Sequence, residues 1–145
     1  MNTLTIGPWI QLGPAASQVR TAVFVHEQNI PAEMEWDVAD QTAEHAVIYD
    51  ALGEPVATGR LLVHGPGVGR IGRMAVLSSL RGSGLGQQVL EALVQSARER
   101  GDVEVCLHAQ TSAQGFYERL GFTPRGEPYA EVGIPHIEMF LDIRQ

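Results

Sequence analysis

Six consecutive residues, Arg81-Gly82-Ser83-Gly84-Leu85-Gly86, set one permanent positive charge among three glycines, directly before an amphipathic run from Gln87 to Arg100. Glycines allow a tight turn and a close backbone approach to a ligand. A helix starting there presents unpaired N–H groups and about half a positive charge. The chemistry this suits is the gripping of a pyrophosphate, with Arg81 adding a charge-assisted hydrogen bond. Two nucleotide-binding loops are excluded by spacing. A dinucleotide fingerprint, G-x-G-x-x-G, needs its third glycine where Gln87 stands, and Gly86 comes one residue early. A P-loop needs a lysine after its last glycine, and all ten Lys/Arg positions of this chain are arginine.

The spacing of Arg81, Gly84 and Gly86 resembles the acyl-CoA signature of the GCN5-related N-acetyltransferases (GNAT superfamily): arginine or glutamine, two residues, glycine, one residue, then glycine or alanine. Downstream, Gln110, Ala113, Tyr117 and Gly121-Phe122 occupy the places where that family has asparagine, alanine, tyrosine and Gly-Phe, with Gln110 the one departure. Val23-Phe24-Val25-His26-Glu27-Gln28, the acidic run to Asp40, His45, and Glu131 to His136 with Met139 resemble the small bacterial ElaA-like branch. These blocks span nearly the whole chain.

The resemblance implies acetyl-CoA as cosubstrate and a primary amine, on a small molecule or a peptide, as acceptor, attacking directly within a ternary complex. It implies that Met74, Ala75 and Val76 meet pantetheine through main chain, as an added strand would. Arg81, Gly82, Ser83, Gly84, Leu85 and Gly86 would hold phosphate, and Gln110 and Ala113 complete the cofactor-binding set. Tyr117 falls where a hydroxyl can approach the departing sulfur. Neutralising a lysine-like amine at pH 7 costs about 4 to 5 kcal/mol, so a base is useful. Glu27, His45 and His136 are the candidates, and a histidine suits a neutral-pH relay better than an ordinary carboxylate. No metal-ligand spacing such as H-E-x-x-H is present. Two other readings stand beside this one. A non-catalytic acetyl-CoA-binding module would keep Arg81, Gly84 and Gly86 without needing Tyr117, and an acyl-homoserine-lactone-type synthase would need a surface for an acidic carrier protein.

Periodicity sets out the elements that must position these residues. Ala15, Val19, Ala22 and Val23 recur at helical spacing after Pro14, and Ala46 to Asp50 with Pro55 to Val63 read as a hairpin turning at Gly53. Gly65-Pro66-Gly67 turns into a strand from Val68 to Val76. Val89, Leu90, Leu93, Val94 and Ala97 then form one helical stripe stopped by Gly101. A strand from Val103 to Ala109, a helix from Ser112 to Leu120 and a last strand from His136 to Ile143 follow. Strand, helix and strand in that order imply a right-handed parallel crossover, with ligand beyond the carboxyl ends of the strands. The expectation is an α/β (α+β) fold with a mixed sheet and helices on both faces, in a single domain over residues 1–145, and the family resemblance implies that the central sheet is mostly antiparallel.

Length and a 44% hydrophobic composition suit one core without disulfides. The lone Cys106 lies in a strand-like run and reads as a packed thiol. A formal charge of −7 with no basic cluster argues against nucleic acid as a partner. No apolar run is long enough for a membrane span and the start lacks signal-peptide character, so a cytoplasmic protein is expected. A homodimer is compatible with the chain. Glu27, Glu33, Glu35, Asp37, Asp40 and Glu44 gather near the expected acceptor site, where they would attract a cationic amine. Trp9, Trp36, Tyr49, Tyr129 and Phe140 are candidate lining aromatics. Arg60, Arg70 and Arg73 recur as strand arginines, Arg73 nearest the expected thioester.

Overall fold

A computed structural model describes residues 1–34 and 36–144; Glu35 and Gln145 lie outside the described residues. The chain begins with β1 (Thr3–Pro8), α1 (Trp9–Arg20) and a π-helical turn (Thr21–Glu27), then two short 3-10 turns (Ala32–Met34 and Val38–Gln41). It continues through β2 (Glu44–Tyr49), β3 (Pro55–Gly65), β4 (Val68–Val76), α2 (Leu85–Glu99), β5 (Glu104–Gln110), α3 (Gln114–Arg119), β6 (Thr123–Glu131) and β7 (Ile134–Asp142). The strands form one sheet in the order β1-β2-β3-β4-β5-β7-β6. Among the described residues only β4 and β5 pair in parallel. The expected mixed fold is therefore the one observed.

Alternation along the strands divides the sheet into two faces. Ala46, Ile48, Leu61, Ile71, Val105 and Leu107 point to the side covered by α2, where Val89, Leu90, Leu93, Val94 and Ala97 pack on them. A 15-residue helix is marginal alone, whereas each fully buried Leu or Val contributes about 1.5–3 kcal/mol, so burial of this stripe is what holds α2. The opposite face carries Val47 against Leu12 and Ala16 of α1, and Ala75 against Val19, Val23 and Phe24. Cys106 is fully buried.

The two edge strands were not legible in the sequence. β1 contains Gly7 and ends at Pro8, and β6 carries Pro124, Gly126 and Pro128, residues that a strand tolerates mainly at an edge. Each exists because a neighbour, β2 or β7, offers a ladder. α1 starts five residues ahead of Pro14 rather than after it, so that Pro14 lies inside the helix without the N–H that would reach back one turn. The π turn prolongs α1: Gln28 N–H donates to the Val23 carbonyl at 3.0 Å, a five-residue step that swings Glu27 and Gln28 toward β4.

The feature that matters most for the site lies in β4. Thr58 pairs with Ala75 but Arg60 pairs with Gly72, so three residues of β4 span two of β3. Arg73 in this bulge takes a left-handed φ of 51°. β4 and β5 pair only from Val68–Glu104 to Ile71–Leu107, and past that point they diverge.

Candidate active site

The divergence of β4 from β5 opens a cleft of about 1170 Å³ that crosses the sheet from one face to the other. Its first wall is the strand end. Leu77 N–H donates to the Val56 carbonyl and Ala75 pairs with Thr58, so by alternation the peptide groups of Val76 point away from β3 into the gap. The loop that follows has Gly82 at φ 84° and Gly84 at φ 89°, backbone that a Cβ strains, and Gly84 caps α2. Gly82, Gly84, Leu85, Gly86 and Gln87 line the cleft and bring the helix start to it. Ser83 does not line it; its hydroxyl is turned back onto the Leu80 carbonyl.

Arg81 also lines the cleft and is already engaged. Its guanidinium is turned inward, donating to the Val76 carbonyl at 3.2 and 3.0 Å and to both carboxylate oxygens of Glu27. In this arrangement it ties the π turn to the end of β4. The same pairing holds the Glu27 carboxyl below its usual range, chiefly through the hydrogen bonds from Arg81, which makes it a poor proton acceptor although it lines the cleft.

Of the three candidate bases, His45 is not at the site. It is fully buried in β2, its Nε2 donating to the Asp40 carbonyl at 2.9 Å and its ring 5.0 Å from that of Trp9. Burial lowers its pKa, keeping it a neutral structural histidine. His136 does line the cleft, and it sits at the open end. Its Nδ1 lies 2.7 Å from the Ile134 carbonyl, which can only accept, so Nδ1 carries the hydrogen and Nε2 keeps a lone pair. Glu131 Oε2 lies 3.6 Å from Nε2. Tyr129 stacks on His136 at 6.0 Å and its hydroxyl bonds His108 Nδ1.

Tyr117 lines the far side, packed edge-on against Phe116 and Phe122. Burial pushes its pKa up to about 12. Met74, Ala75, Val76, Gln110 and Ala113 also line the cleft. Gln110, which stands where the family has asparagine, exchanges amide hydrogen bonds with Gln28 at 3.1 and 3.5 Å.

Two residues of the acidic segment, Asp37 and Asp40, do not present free charge. Asp37 accepts from Arg60 and Arg73, and Asp40 lies between Arg20 and Arg60 with its side chain fully buried. The hydrogen bonds from Arg60 hold the Asp37 carboxyl far below the usual range. The expected attraction of a cationic amine by Asp37 and Asp40 is thus cancelled by three arginines. The sequence carried one signal of this: Arg60 stands on a strand whose alternation sends it to the face of the acidic segment.

Residues 13–143 match the family model described as an acetyltransferase (GNAT) domain. The chain is 40% identical over 128 residues to an uncharacterized N-acetyltransferase, YjcF, of Bacillus subtilis, covering 88% of this chain and 90% of that protein. It is 38% identical over 135 residues to ElaA of Escherichia coli, covering 90% and 88% respectively. Among solved structures, a putative N-acetyltransferase from Lactobacillus plantarum superposes with a TM-score of 0.90 at 34% identity over 99% of both chains. With the loop, the bulged strand and the cleft in the places described above, the chain belongs to the GNAT acetyltransferase family.

Proposed function

We propose that this protein transfers the acetyl group of acetyl-CoA to a primary amine by direct attack in a ternary complex. The observation that carries this reading is the cleft between diverging β4 and β5, which leads from the Gly82–Gly86 loop along the β4 edge that β5 leaves uncovered to His136. Phosphate oxygens would meet the N–H groups of the loop and the start of α2, and pantetheine would lie along the β4 edge. The Arg81 guanidinium contributes by holding that edge, through the Val76 carbonyl and Glu27, rather than by reaching outward.

His136 is the base we assign. Its Nε2 takes the proton from the ammonium, and a Glu131 carboxylate oxygen stands 3.6 Å from that nitrogen. The neutral nitrogen then forms a bond to the acyl carbon, the carbon–sulfur bond breaks, and the electron pair leaves on sulfur. With a phenol of about 12, complete proton transfer from Tyr117 to a thiolate of pKa about 8.5 runs uphill by about 5 kcal/mol. Tyr117 therefore acts by donating a hydrogen bond to the sulfur while keeping its proton.

The test is calorimetric titration of acetyl-CoA into wild type and Gly84→Val, followed by thiol release with a mixed amine panel. Binding to wild type, loss in the variant, and thiol release only when an amine is added support the reading. Failure of wild type to bind acetyl-CoA, or thiol release that ignores the amine, overturns it.

A further inference from the structure

We infer that the acceptor carries an anionic group, a carboxylate a few bonds from its amine, and that Arg70 is the residue that binds it. This rests on the transferase reading above and names the class of molecule selected at the end of the cleft where β4 and β5 are still paired.

Charge at that end does not follow the charge of the chain. The protein carries −7 overall, yet the wall away from α2 sets Arg60, Arg70, Arg73 and Arg81 against Asp37, Glu131 and Glu27, with Glu27 committed to Arg81 and the neighbouring Glu138 to Arg125. Asp37 is committed to two of those arginines, and Arg60 is also bonded to the buried Asp40. Arg60, with 9% of its side chain exposed, still keeps Nε without a partner. Among the described residues Arg70 has no carboxylate within 4.0 Å and no hydrogen-bond partner, while it lines the cleft half-buried. A half-buried guanidinium with no counter-ion is the natural seat of a carboxylate, which its planar fork binds bidentately.

Position separates this charge from the phosphate site. Six strand residues at about 3.3 Å each put Arg70 about 20 Å upstream of Val76, while the glycine loop lies downstream of Val76. Pairing of Arg60 with Gly72 places Arg60, Gly72 and Arg70 on one face, and a Cβ built on Gly72 meets nothing within 4 Å, so the floor beside the guanidinium is bare. On the same face of the adjoining strands stand His108 and His136, and the Arg70 charge reaches His108 and Tyr129. An amine presented to Nε2 of His136 thus leaves the rest of the acceptor lying toward Arg70.

The experiment is equilibrium binding of β-alanine, γ-aminobutyrate and ε-aminocaproate, each against its carboxamide, to the protein loaded with CoA. The carboxylate of at least one pair is expected to bind wild type about tenfold or more tighter than its carboxamide. In Arg70→Gln the two should bind alike, and Arg70→Glu should favour the carboxamide, with acetyl-CoA affinity retained in both. Equal binding of every pair by wild type, binding of none of the probes, a preference that survives Arg70→Gln, or a tenfold loss of acetyl-CoA affinity in that variant each overturns the inference. Selective binding without thiol release leaves the inference standing and sinks the transferase reading instead.

Discussion

Two polar clusters flank the cleft, and they use similar residue types to opposite ends. On the α1 side, Arg20, Asp40, Arg60, Asp37 and Arg73 are bonded to one another and largely withdrawn from water. On the β5–β7 side, Tyr129 and Glu131 are exposed, and His136, although buried, lines the cleft and retains an unused lone pair. Buried charge that is fully committed fixes a shape. In this case it pins the 3-10 segment to the bulge at Arg73 and so keeps β4 away from β5. Groups that line the cleft with one free position are the ones that can move a proton. Identity alone does not tell a scaffold arginine or histidine from a reactive one; the number of bonds already made does.

The contrast breaks most sharply at Asp40. Asp40→Ala leaves Arg20 and Arg60 buried without their shared carboxylate, a loss of about 3–5 kcal/mol out of the roughly 5–15 typical of a domain. A thermal midpoint lowered by about 10 °C or more is expected, and a shift below about 2 °C would show that the cluster is not structural. On the other side, His136→Gln should leave the midpoint nearly in place while lowering kcat by about 100-fold, since one positioned base is worth that much. If turnover instead survives within a factor of about three, the base lies elsewhere. Tyr117→Phe should have a smaller effect, about tenfold in kcat, because it removes a hydrogen bond and not a proton donor.

Acidification sharpens the comparison. His45 and His108 have pKa values lowered by burial, so the unfolded chain binds protons more readily than the folded one. Their contribution to stability is complete above the unfolded value of about 6.5 and is lost as pH falls toward the folded value. Asp37 and Asp40 are depressed in the folded state, so their contribution persists until pH drops below the unfolded carboxyl value of about 3.9. Thermal midpoints measured from pH 8 to 3 should decline in two stages, and His45→Asn should flatten the first. A single decline confined below pH 4 would remove the histidines from the account. The smallest effect is expected at Gly86→Ala, whose Cβ would sit 3.5 Å from Phe116 in ordinary contact, with a change below about 0.5 kcal/mol.

The glycine loop, the α2 stripe, the parallel crossover and the positions of Tyr117 and His136 were legible because each depends on local pattern or on motif spacing. The edge strands β1 and β6 were not, since their prolines and glycines argue against strand until a neighbour supplies the ladder. Nor was the role of Arg81 legible. Its spacing marks the loop, but the carboxylate that claims it lies 54 residues away in the π turn. His45 read as a candidate base only because its burial against Trp9 and the Asp40 carbonyl is long-range.

By itself, the sequence determined the inner strands, the α2 stripe, the glycine turn and the family, because periodicity and close spacing act over a few residues. Tertiary structure alone decided which acids and bases are free. Pairing across 20 to 82 residues depends on how the sheet registers and where β4 bulges, and it is that pairing which neutralises Asp37 and Asp40, turns Arg81 inward and leaves Arg70 and His136 facing the cleft.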